Sequence, residues 1–391
     1  MYLADVTMFH APDSGGVRTY LQAKHRHLAT LPGVEASLLV PASERQTLGT
    51  LQTLPACRLP LGQGYRFPLR RRPWREALVE LGPDLIEAGD PYVTAWAALE
   101  AGQQLGVPVV GFYHSDLPRL MGDRFGAPVA RRLQRYVADL YGRFDSVLVP
   151  CRSMGERLAD WGIEDIRVQP LGVDLDTFHP RRRNDQLRRT LGLSDTTRLL
   201  VFAGRNSKEK NVNHLLATAQ RLGRGYHLLL MGPGMPTQVP DNVSVISRCC
   251  SPNEVARALA NADAMIHAGT RETFGLVALE AMASGLPVVA ARASALIENV
   301  PLGCGVLCEP HAPAAMARAV EELFLNDAAA IGRHARRHVE RHYRWSKVID
   351  GLLDHYRTLS PTTLAVSMDS EPAYVAKDGN APASMLVTPC R

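Results

Sequence analysis

Short apolar runs alternate with longer amphipathic segments along most of this 391-residue chain. Such alternation is typical of parallel sheets whose strands are joined by helices. Strands are predicted over residues 3–9, 36–40, 85–88, 107–112, 146–149, 198–203, 227–231, 243–246, 264–267, 287–290 and 305–308. Helices are predicted between them, for instance over residues 17–30, 129–141 and 213–222. The pattern predicts an α/β fold with two doubly wound units.

A domain boundary is predicted around residues 171–180. Gly172 and Pro180 bracket this segment, which has neither helical nor strand periodicity. We therefore predict one domain over residues 1–172 and a second over residues 173–340. The last helix is predicted over residues 338–356, and the range 341–360 is expected to cross back to the first domain. Residues 361–391 lack apolar periodicity, which predicts a disordered or loosely attached tail.

Composition and charge describe a soluble globular protein. Hydrophobic residues make up 46% of the chain and charged residues 21%, and the net charge of +5 gives no reason to expect a nucleic-acid partner. The seven cysteines contain no C-x-x-C pair, so neither a disulfide framework nor a zinc site is expected, and Cys304 and Cys308 are interpreted as buried thiols. The first ten residues lack a basic start and a long apolar run, which predicts a cytoplasmic protein.

Two acids, Glu272 and Glu280, flank the predicted start of a helix. Glu272 would precede this helix and Glu280 would lie two turns inside it. Backbone N–H groups at a helix start lack an intrahelical partner and attract anions, so the segment suits a nucleoside diphosphate sugar. The alternative is that both acids are only capping or solvated residues. The candidate donor-binding residues of this segment are Phe274, Gly275, Leu276, Val277 and Glu280.

Glycines occur where two predicted strands end. Gly15 and Gly16 lie between a strand and a helix, where glycine lets backbone amides approach a phosphate closely. Gly232 follows the strand at residues 227–231 and offers another close backbone approach. The first turn does not have the G-x-G-x-x-G spacing of dinucleotide-binding proteins. A purely structural turn is the alternative interpretation.

Three polar side chains also follow predicted strands. Arg205 and Lys210 come after the strand at residues 198–203, where a guanidinium and an ammonium group can reach one diphosphate from two sides. His114 follows the strand at residues 107–112 and would face the same crevice. A solvated basic loop and a structural histidine are the respective alternatives.

Taken together, these motifs resemble the retaining glycosyltransferases of family GT4, which have the two-domain GT-B fold. The matching pieces extend from Ser14 to about Trp345. They are Gly15-Gly16, His114, Gly204-Arg205 with Lys210, and Glu272-x-Phe-Gly with Glu280-Ala-Met-Ala-x-Gly-x-Pro-Val-Val. The resemblance implies two Rossmann-like domains facing a cleft that holds the nucleotide sugar.

The resemblance also implies a role for each residue. Arg205 and Lys210 would hold the diphosphate, and Gly16 would approach it from the first domain. Glu272 would bind hydroxyls of the transferred sugar and Glu280 those of the ribose. His114 would lie beside the transferred sugar, and the Phe274 and Gly275 backbone would be near Glu272. One departure is Glu209-Lys210-Asn211 in place of Glu-Lys-Gly, which requires the asparagine to adopt a left-handed conformation.

The implied reaction is the transfer of a hexose from a nucleotide diphosphate sugar to a hydroxyl of a glycan, lipid or small molecule, with retention at the anomeric carbon. No cofactor or metal ion is expected, because no Asp-x-Asp occurs where a cation would bridge phosphates. UDP and GDP are the expected nucleotides. A nucleotide-sugar epimerase or phosphorylase on the same fold, or a nucleotide-sugar-binding protein without catalysis, is the alternative.

The acceptor leaves a weaker signature. Basic and apolar residues are mixed over residues 65–75 and 118–125, and Arg131, Arg132 and Arg135 follow. These segments predict contact with an anionic acceptor or with the inner face of a membrane. Solvated helix faces are an equally acceptable interpretation.

Overall fold

The computed structural model describes residues 1–10, 15–58 and 64–360. The predicted tail at residues 361–391, Cys390, and the beginning of the first glycine turn at Asp13 and Ser14 lie outside these ranges.

The amino-terminal half forms an eight-stranded sheet with the order β10-β9-β8-β7-β1-β2-β4-β3. Its neighbouring strands are parallel, except for β3 and β4, which are antiparallel. Two further strands, β5 and β6, form a small antiparallel pair. The strands are β1 Tyr2–Val6, β2 Glu35–Ala42, β3 Gln46–Leu48, β4 Leu51–Pro55, β5 Cys57–Arg58, β6 Arg66–Phe67, β7 Leu85–Ala88, β8 Val109–Phe112, β9 Ser146–Val149 and β10 Ile166–Val168.

The carboxy-terminal half forms a six-stranded parallel sheet with the order β13-β12-β11-β14-β15-β16. This is the order of a doubly wound nucleotide-binding sheet, in which the chain order reverses between β11 and β14. The first sheet has a corresponding reversal between β1 and β7. The strands of the second sheet are β11 Arg198–Ala203, β12 Tyr226–Met231, β13 Val243–Ile246, β14 Ala264–His267, β15 Val288–Ala291 and β16 Gly305–Cys308.

Helices connect the strands and cover both sheets. Short 3₁₀ turns lie at Pro180–Arg182, Lys208–Lys210 and Gly223–Gly225. The helices are α1 Gly16–Leu28, α2 Arg72–Leu81, α3 Val93–Leu105, α4 Leu117–Phe125, α5 Ala127–Tyr141, α6 Arg152–Ala159, α7 Gln186–Thr190, α8 Val212–Leu222, α9 Pro252–Asn261, α10 Leu276–Ala283, α11 Leu296–Asn299, α12 Pro313–Leu325, α13 Ala328–His342 and α14 Trp345–Leu359.

All eleven predicted strands are present, with ends shifted by at most three residues, and the predicted α/β class is confirmed. The strands that sequence analysis missed are β3, β4, β5, β6 and β10. They are two to five residues long, and β3, β5 and β10 are largely exposed. Because such strands bury little apolar surface, they leave no clear periodicity in the sequence.

The prediction of one continuous last helix over residues 338–356 is wrong. The chain leaves the helical conformation at Tyr343 and Arg344, between α13 and α14. There, the Val173 N–H donates to the Tyr343 carbonyl oxygen at 2.8 Å, and Arg344 forms a parallel bridge with Val173. A side chain on Gly172 would lie 2.6 Å from the Trp345 ring, so this glycine allows the two segments to pack together.

A buried charge network joins α14 to the first sheet. Lys24 of α1 is fully buried, with its Nζ 2.6 Å from Asp5 Oδ1 and 2.8 Å from Glu87 Oε2. The same Nζ lies 3.3 Å from the hydroxyl of Tyr356 on α14, and that hydroxyl donates to Glu87. The two carboxylates therefore compensate the buried ammonium group, and the network fixes the helix that ends the described chain.

We predict that Lys24→Met destabilises the protein by about 3–5 kcal/mol, because it leaves two carboxylates buried without their cation. The measurement is the free energy of unfolding in urea. Lys347→Met, which changes an exposed lysine on α14, is the control and should cost less than about 0.5 kcal/mol. Equal losses in the two variants would contradict the account.

Candidate active site

The candidate residues lie after strands that flank the two reversals of chain order. Gly15 and Gly16 follow β1, and His114 follows β8, in the first sheet. Arg205 follows β11, and Glu272 lies in the loop that joins β14 to α10. Since all of these strands are parallel to their neighbours, their carboxyl ends meet at one edge of each sheet. This is the edge at which open α/β sheets bind ligands.

Lys210 and Glu272 form a direct ion pair in the second domain. Only 9% of Glu272 is exposed, and burial alone would raise the pKa of its carboxyl group. The positive charges nearby, above all the Lys210 ammonium and then Arg205, outweigh that effect and lower the pKa of Glu272. Two of the predicted site residues, the sugar-binding Glu272 and the diphosphate-binding Lys210, are therefore in direct contact, with the carboxylate ionised and able to accept hydrogen bonds.

His267, at the end of β14, lies on the other side of Glu272. Its Nδ1 accepts the Gly269 N–H at 3.0 Å, so the neutral ring carries its proton on Nε2, which lies 3.4 Å from Glu272 Oε1. Burial lowers the pKa of His267 to about 4 and keeps the ring neutral. A side chain on Gly269 would lie 2.5 Å from the His267 ring, so only glycine fits here.

Asn211 shapes the turn that presents Lys210. Its φ of 52° and ψ of 44° confirm the left-handed conformation expected at this position. Its Nδ2 donates to the Ala268 carbonyl oxygen at 2.9 Å, and the Thr270 N–H donates to the Glu209 carbonyl oxygen at 3.1 Å. The basic turn after β11 is thereby bonded to the acidic loop after β14.

The helix start predicted near Phe274 is confirmed as the start of α10, which Gly275 caps with a φ of 77°. Phe274 is buried, and its carbonyl oxygen accepts the Asn299 Nδ2. The N–H groups of Leu276 and Val277 occupy the first two helical positions, where no intrahelical acceptor exists.

Glu280 is the fifth residue of α10, so it lies little more than one turn inside the helix. The expected two turns are therefore an overestimate, because α10 begins at Leu276. Burial, with a contribution from the Asp174 carboxylate, raises the pKa of Glu280 to about 7. Glu280 thus differs from Glu272, which lies beside cations.

His114 is buried in the first domain, with its ring stacked on Phe112 at a centroid distance of 3.9 Å. Burial, followed by the charge of Lys24, lowers the pKa of His114 to about 3, so the ring is neutral. Its Nε2 has no hydrogen-bond partner within the described parts of the chain. A buried nitrogen in this state can serve a ligand hydroxyl.

The three glycines predicted at strand ends differ in what surrounds them. Gly15 precedes α1 and Gly16 begins it, and among the described residues no atom lies within 4 Å of the position that a side chain on either would take. Gly232 has a φ of 137°, and a side chain there would lie 1.9 Å from the Gly204 carbonyl oxygen. Gly232 is therefore required for the close passage of two strand ends, whatever else it contacts.

Sequence analysis missed the contacts that join the two domains beside this cluster. Arg271 pairs with Asp123 of α4, and the Cys151 thiol donates to the Thr273 carbonyl oxygen at 3.1 Å. Nothing in a single sequence marks such long-range pairs. His267 could have been noticed, because it ends a strand in the second domain as His114 follows one in the first.

Arg119 is a half-buried cation next to these contacts. Burial lowers the pKa of its guanidinium group, and burial together with Arg119 lowers the pKa of Arg271. Asp123 pairs with Arg271, and no carboxylate of the described ranges pairs with Arg119. Two guanidinium groups therefore lie next to the Glu272 loop, with one carboxylate, Asp123, paired to Arg271.

The chain does contain one Asp-x-Asp triplet near the cleft, Asp174-Leu-Asp176, which qualifies the expectation that none occurs where a cation would bind. Asp174 closes a turn, since it accepts the Asp176 N–H, the Thr177 N–H and the Thr177 hydroxyl at 2.7–3.0 Å. No group of three or more His, Cys, Asp or Glu residues is placed to hold a metal ion within residues 1–10, 15–58 and 64–360.

A cavity of about 720 Å³ lies away from these residues, at the amino ends of the second sheet. Arg198 begins β11, Asp263 precedes β14 and Pro287 precedes β15, so this cavity opens at the opposite edge from Glu272. The cavity and the cluster of candidate residues are therefore separate features of the second domain.

Two facing doubly wound sheets with this residue cluster define a GT-B glycosyltransferase. The family models described as Glycosyltransferase Family 4 and Glycosyl transferases group 1 match residues 14–177 and 197–326. The GDP-mannose-dependent alpha-(1-6)-phosphatidylinositol dimannoside mannosyltransferase of Mycobacterium tuberculosis is 32% identical over 371 residues, which cover 90% of this chain and 95% of that protein. A GDP-mannose-dependent alpha-mannosyltransferase of the same species is 31% identical over 72% of this chain and 75% of that protein.

Solved structures agree with the fold. Sucrose-phosphate synthase from Thermosynechococcus elongatus superposes with a TM-score of 0.75 at 20% identity, over 92% of this chain and 99% of that one. The protein therefore belongs to glycosyltransferase family 4, and it is a retaining, nucleotide-sugar-dependent hexosyltransferase. The epimerase, phosphorylase and non-catalytic alternatives are not favoured.

We predict a pH-dependent stability effect of Glu280→Gln in the absence of ligand. Glu280 has an ordinary pKa of 4.5 and a folded-state pKa of about 7, so the folded protein binds more protons than the unfolded chain between these values. The contribution of Glu280 to the free energy of unfolding therefore decreases as the pH rises through this window. Glu280→Gln should match the wild type near pH 4 and be more stable near pH 8, by about 1–3 kcal/mol given its partial exposure.

The measurement is urea unfolding at both pH values. Glu322→Gln, which changes an exposed acid on α12, should show no such difference. A Glu280→Gln profile parallel to the wild type would show that the pKa of Glu280 is not raised.

Proposed function

We propose that this protein transfers mannose from GDP-mannose to a hydroxyl group of an anionic lipid acceptor, without a divalent metal ion. The observation that carries the donor assignment is similarity to GDP-mannose-dependent relatives across both domains, in one case over 95% of the relative's length. UDP-sugars are the second donor class. The Anabaena protein HepE has been solved in complex with UDP and glucose, but at 18% identity its likeness to this chain concerns only the fold.

The proposed chemistry follows from where charge develops. Cleavage of the bond between the anomeric carbon and the diphosphate leaves positive charge on the sugar and negative charge on the departing phosphate. Arg205, Lys210 and the amino end of α10 would stabilise that phosphate, and Lys210 has N–H groups to share between it and Glu272. The acceptor would attack the same face of the sugar, and the leaving phosphate would take its proton.

The remaining donor contacts are proposed from the position and the protonation state of each residue. The ionised Glu272 would accept hydroxyls of the mannose, and the neutral His114 would contact the same sugar from the first domain. Glu280 would bind the ribose hydroxyls, and the glycine turn at Gly15 and Gly16 would approach the diphosphate. None of these groups is proposed as a nucleophile.

We predict that Lys210→Ala and Glu272→Ala each lower kcat/KM for transfer from GDP-mannose on the order of 10²-fold or more, since each removes transition-state stabilisation. Lys208→Ala is the matched control, because Lys208 is an exposed lysine in the same turn and should change the rate by less than about threefold. Near-wild-type transfer by either of the first two variants would refute the site assignment.

In thermal-shift assays, GDP-mannose at 100 times its Kd should add about 2.7 kcal/mol of stability. A larger effect of UDP-sugars would reassign the donor.

The proposed acceptor is supported by charge at the cleft and by an adjacent surface. Arg271 precedes Glu272 in the chain and is close enough to Arg119 for their charges to interact, and one carboxylate, Asp123, pairs with Arg271. On α4, Leu120 and Phe125 are 52% and 54% exposed, and Arg131, Arg132 and Arg135 of α5 are also exposed. Exposed apolar side chains among cations suit the surface of an anionic membrane. None of the helices in the described ranges is long and apolar enough to cross a membrane.

We predict that the protein sediments with phosphatidylglycerol vesicles and much less with phosphatidylcholine vesicles, and that added salt weakens the binding. The double variant Leu120→Ser/Phe125→Ser should lose at least about tenfold in vesicle affinity, because two apolar side chains no longer enter the lipid. Leu325→Ser, which changes an 87% exposed leucine of the second domain, is the control. Absence of vesicle binding at low salt would remove the membrane proposal and leave the donor assignment intact.

A further inference from the structure

The segment formed by residues 294–299 supports the loop that carries Glu272. The Ser294 hydroxyl donates to the Thr270 carbonyl oxygen at 2.8 Å, and the Ala295 N–H donates to the Glu272 carbonyl oxygen at 3.3 Å. The Asn299 side chain donates to the Phe274 carbonyl oxygen. Alternate carbonyls of the loop are thus bonded to one short segment, which we call the bracket. Any movement of the bracket would displace the Glu272 backbone.

The bracket also contacts the first domain, through Glu298. One carboxylate oxygen of Glu298 accepts the Arg152 N–H at 2.9 Å, and the other accepts the Ser153 N–H at 3.0 Å. These are the first two N–H groups of α6, whose own cap residue, Cys151, makes no side-chain capping bond. Glu298 therefore caps a helix of the opposite domain, with charge-assisted bonds in the favourable orientation for the helix dipole.

Packing supports the same connection. Ala295 of the bracket is fully buried in the apolar cluster that otherwise consists of first-domain residues, among them Met154 of α6. The Cys151 thiol reaches the Thr273 carbonyl oxygen in the loop itself. The first domain therefore contacts both the loop and the segment that supports it.

We propose that Glu298 is a positioning residue for glycosyl transfer. By capping α6 it fixes the position of the bracket relative to the first domain, which carries His114. Through the bracket it also fixes the position of the Glu272 loop. This proposal rests on the transferase activity of the family and not on the identity of the donor. The candidate donor residues Arg205, Lys210 and Glu272 belong to the second domain, and the first domain adds the glycine turn and His114. Loss of the cap should therefore lower the rate of transfer, which requires groups of both domains, much more than it weakens donor binding.

Two variants weaken the cap from opposite sides. Glu298→Gln keeps the size of the side chain and removes its charge. Arg152→Pro removes one N–H from α6, and proline is well tolerated at the first position of a helix. Cys151 has the extended conformation, φ −151° and ψ 161°, that the residue before a proline prefers. Arg152→Ala is the matched control for the proline, because it removes the same side chain and keeps the N–H.

The measurements are kcat for transfer from GDP-mannose to a membrane acceptor fraction, the Kd of GDP-mannose by calorimetry, and the radius of gyration by small-angle X-ray scattering, all on the full chain. Glu298→Gln and Arg152→Pro should lower kcat tenfold or more, change the donor Kd less than twofold and increase the radius of gyration. Arg152→Ala and Glu322→Gln should match the wild type. The effects of Glu298→Gln and Arg152→Pro should be less than additive in the double variant, because both act on the same cap.

Transfer at the wild-type rate by both cap variants would overturn the proposal. A loss of donor affinity as large as the loss in kcat would also overturn the proposal. The cap would then support the fold of the second domain and not its position relative to the first. If the wild type itself does not use GDP-mannose, the donor assignment fails, and an unchanged radius of gyration in the cap variants would then overturn the positioning proposal separately.

Discussion

The ion pair between Lys210 and Glu272 is the interaction on which the rest of the site depends. It brings the loops after β11 and β14 together at the point where the strand order of the second sheet reverses. A buried carboxylate is costly unless it is compensated, so the pair is surrounded by groups that keep it ionised and oriented. His267 lies behind Glu272, Asn211 bonds the two loops, and Gly269 leaves the space that the imidazole occupies.

Much of this arrangement could be predicted because it is local. Strand ends, the glycine cap of α10 and the left-handed Asn211 follow from short-range rules on apolar runs, backbone conformation and helix starts. Parallel pairing then places the loops after β11 and β14 at one edge without knowledge of any distance. The candidate donor residues could therefore be proposed from the sequence alone.

The parts that sequence analysis missed depend on distant residues. The break between α13 and α14 arises because Tyr343 and Arg344 bond to Val173 about 170 positions earlier, and local helical pattern contains no such information. Nothing in the sequence distinguishes Glu298 from an ordinary surface acid, although in the structure it caps a helix of the other domain. The pKa of Glu280 likewise depends on its burial and then on Asp174, which no spacing rule connects to it. Predictions failed where burial or contact between separate elements decided the outcome.

The central claim is that the nucleotide sugar binds at the carboxyl edge of the second sheet, next to Glu272. The most direct test is amide hydrogen exchange with and without saturating GDP-mannose. We expect GDP-mannose to slow amide exchange mainly in residues 204–212 and 270–280, and less strongly near Gly16. Protection confined to residues 326–337, which line part of the 720 Å³ cavity at the opposite edge, would contradict it.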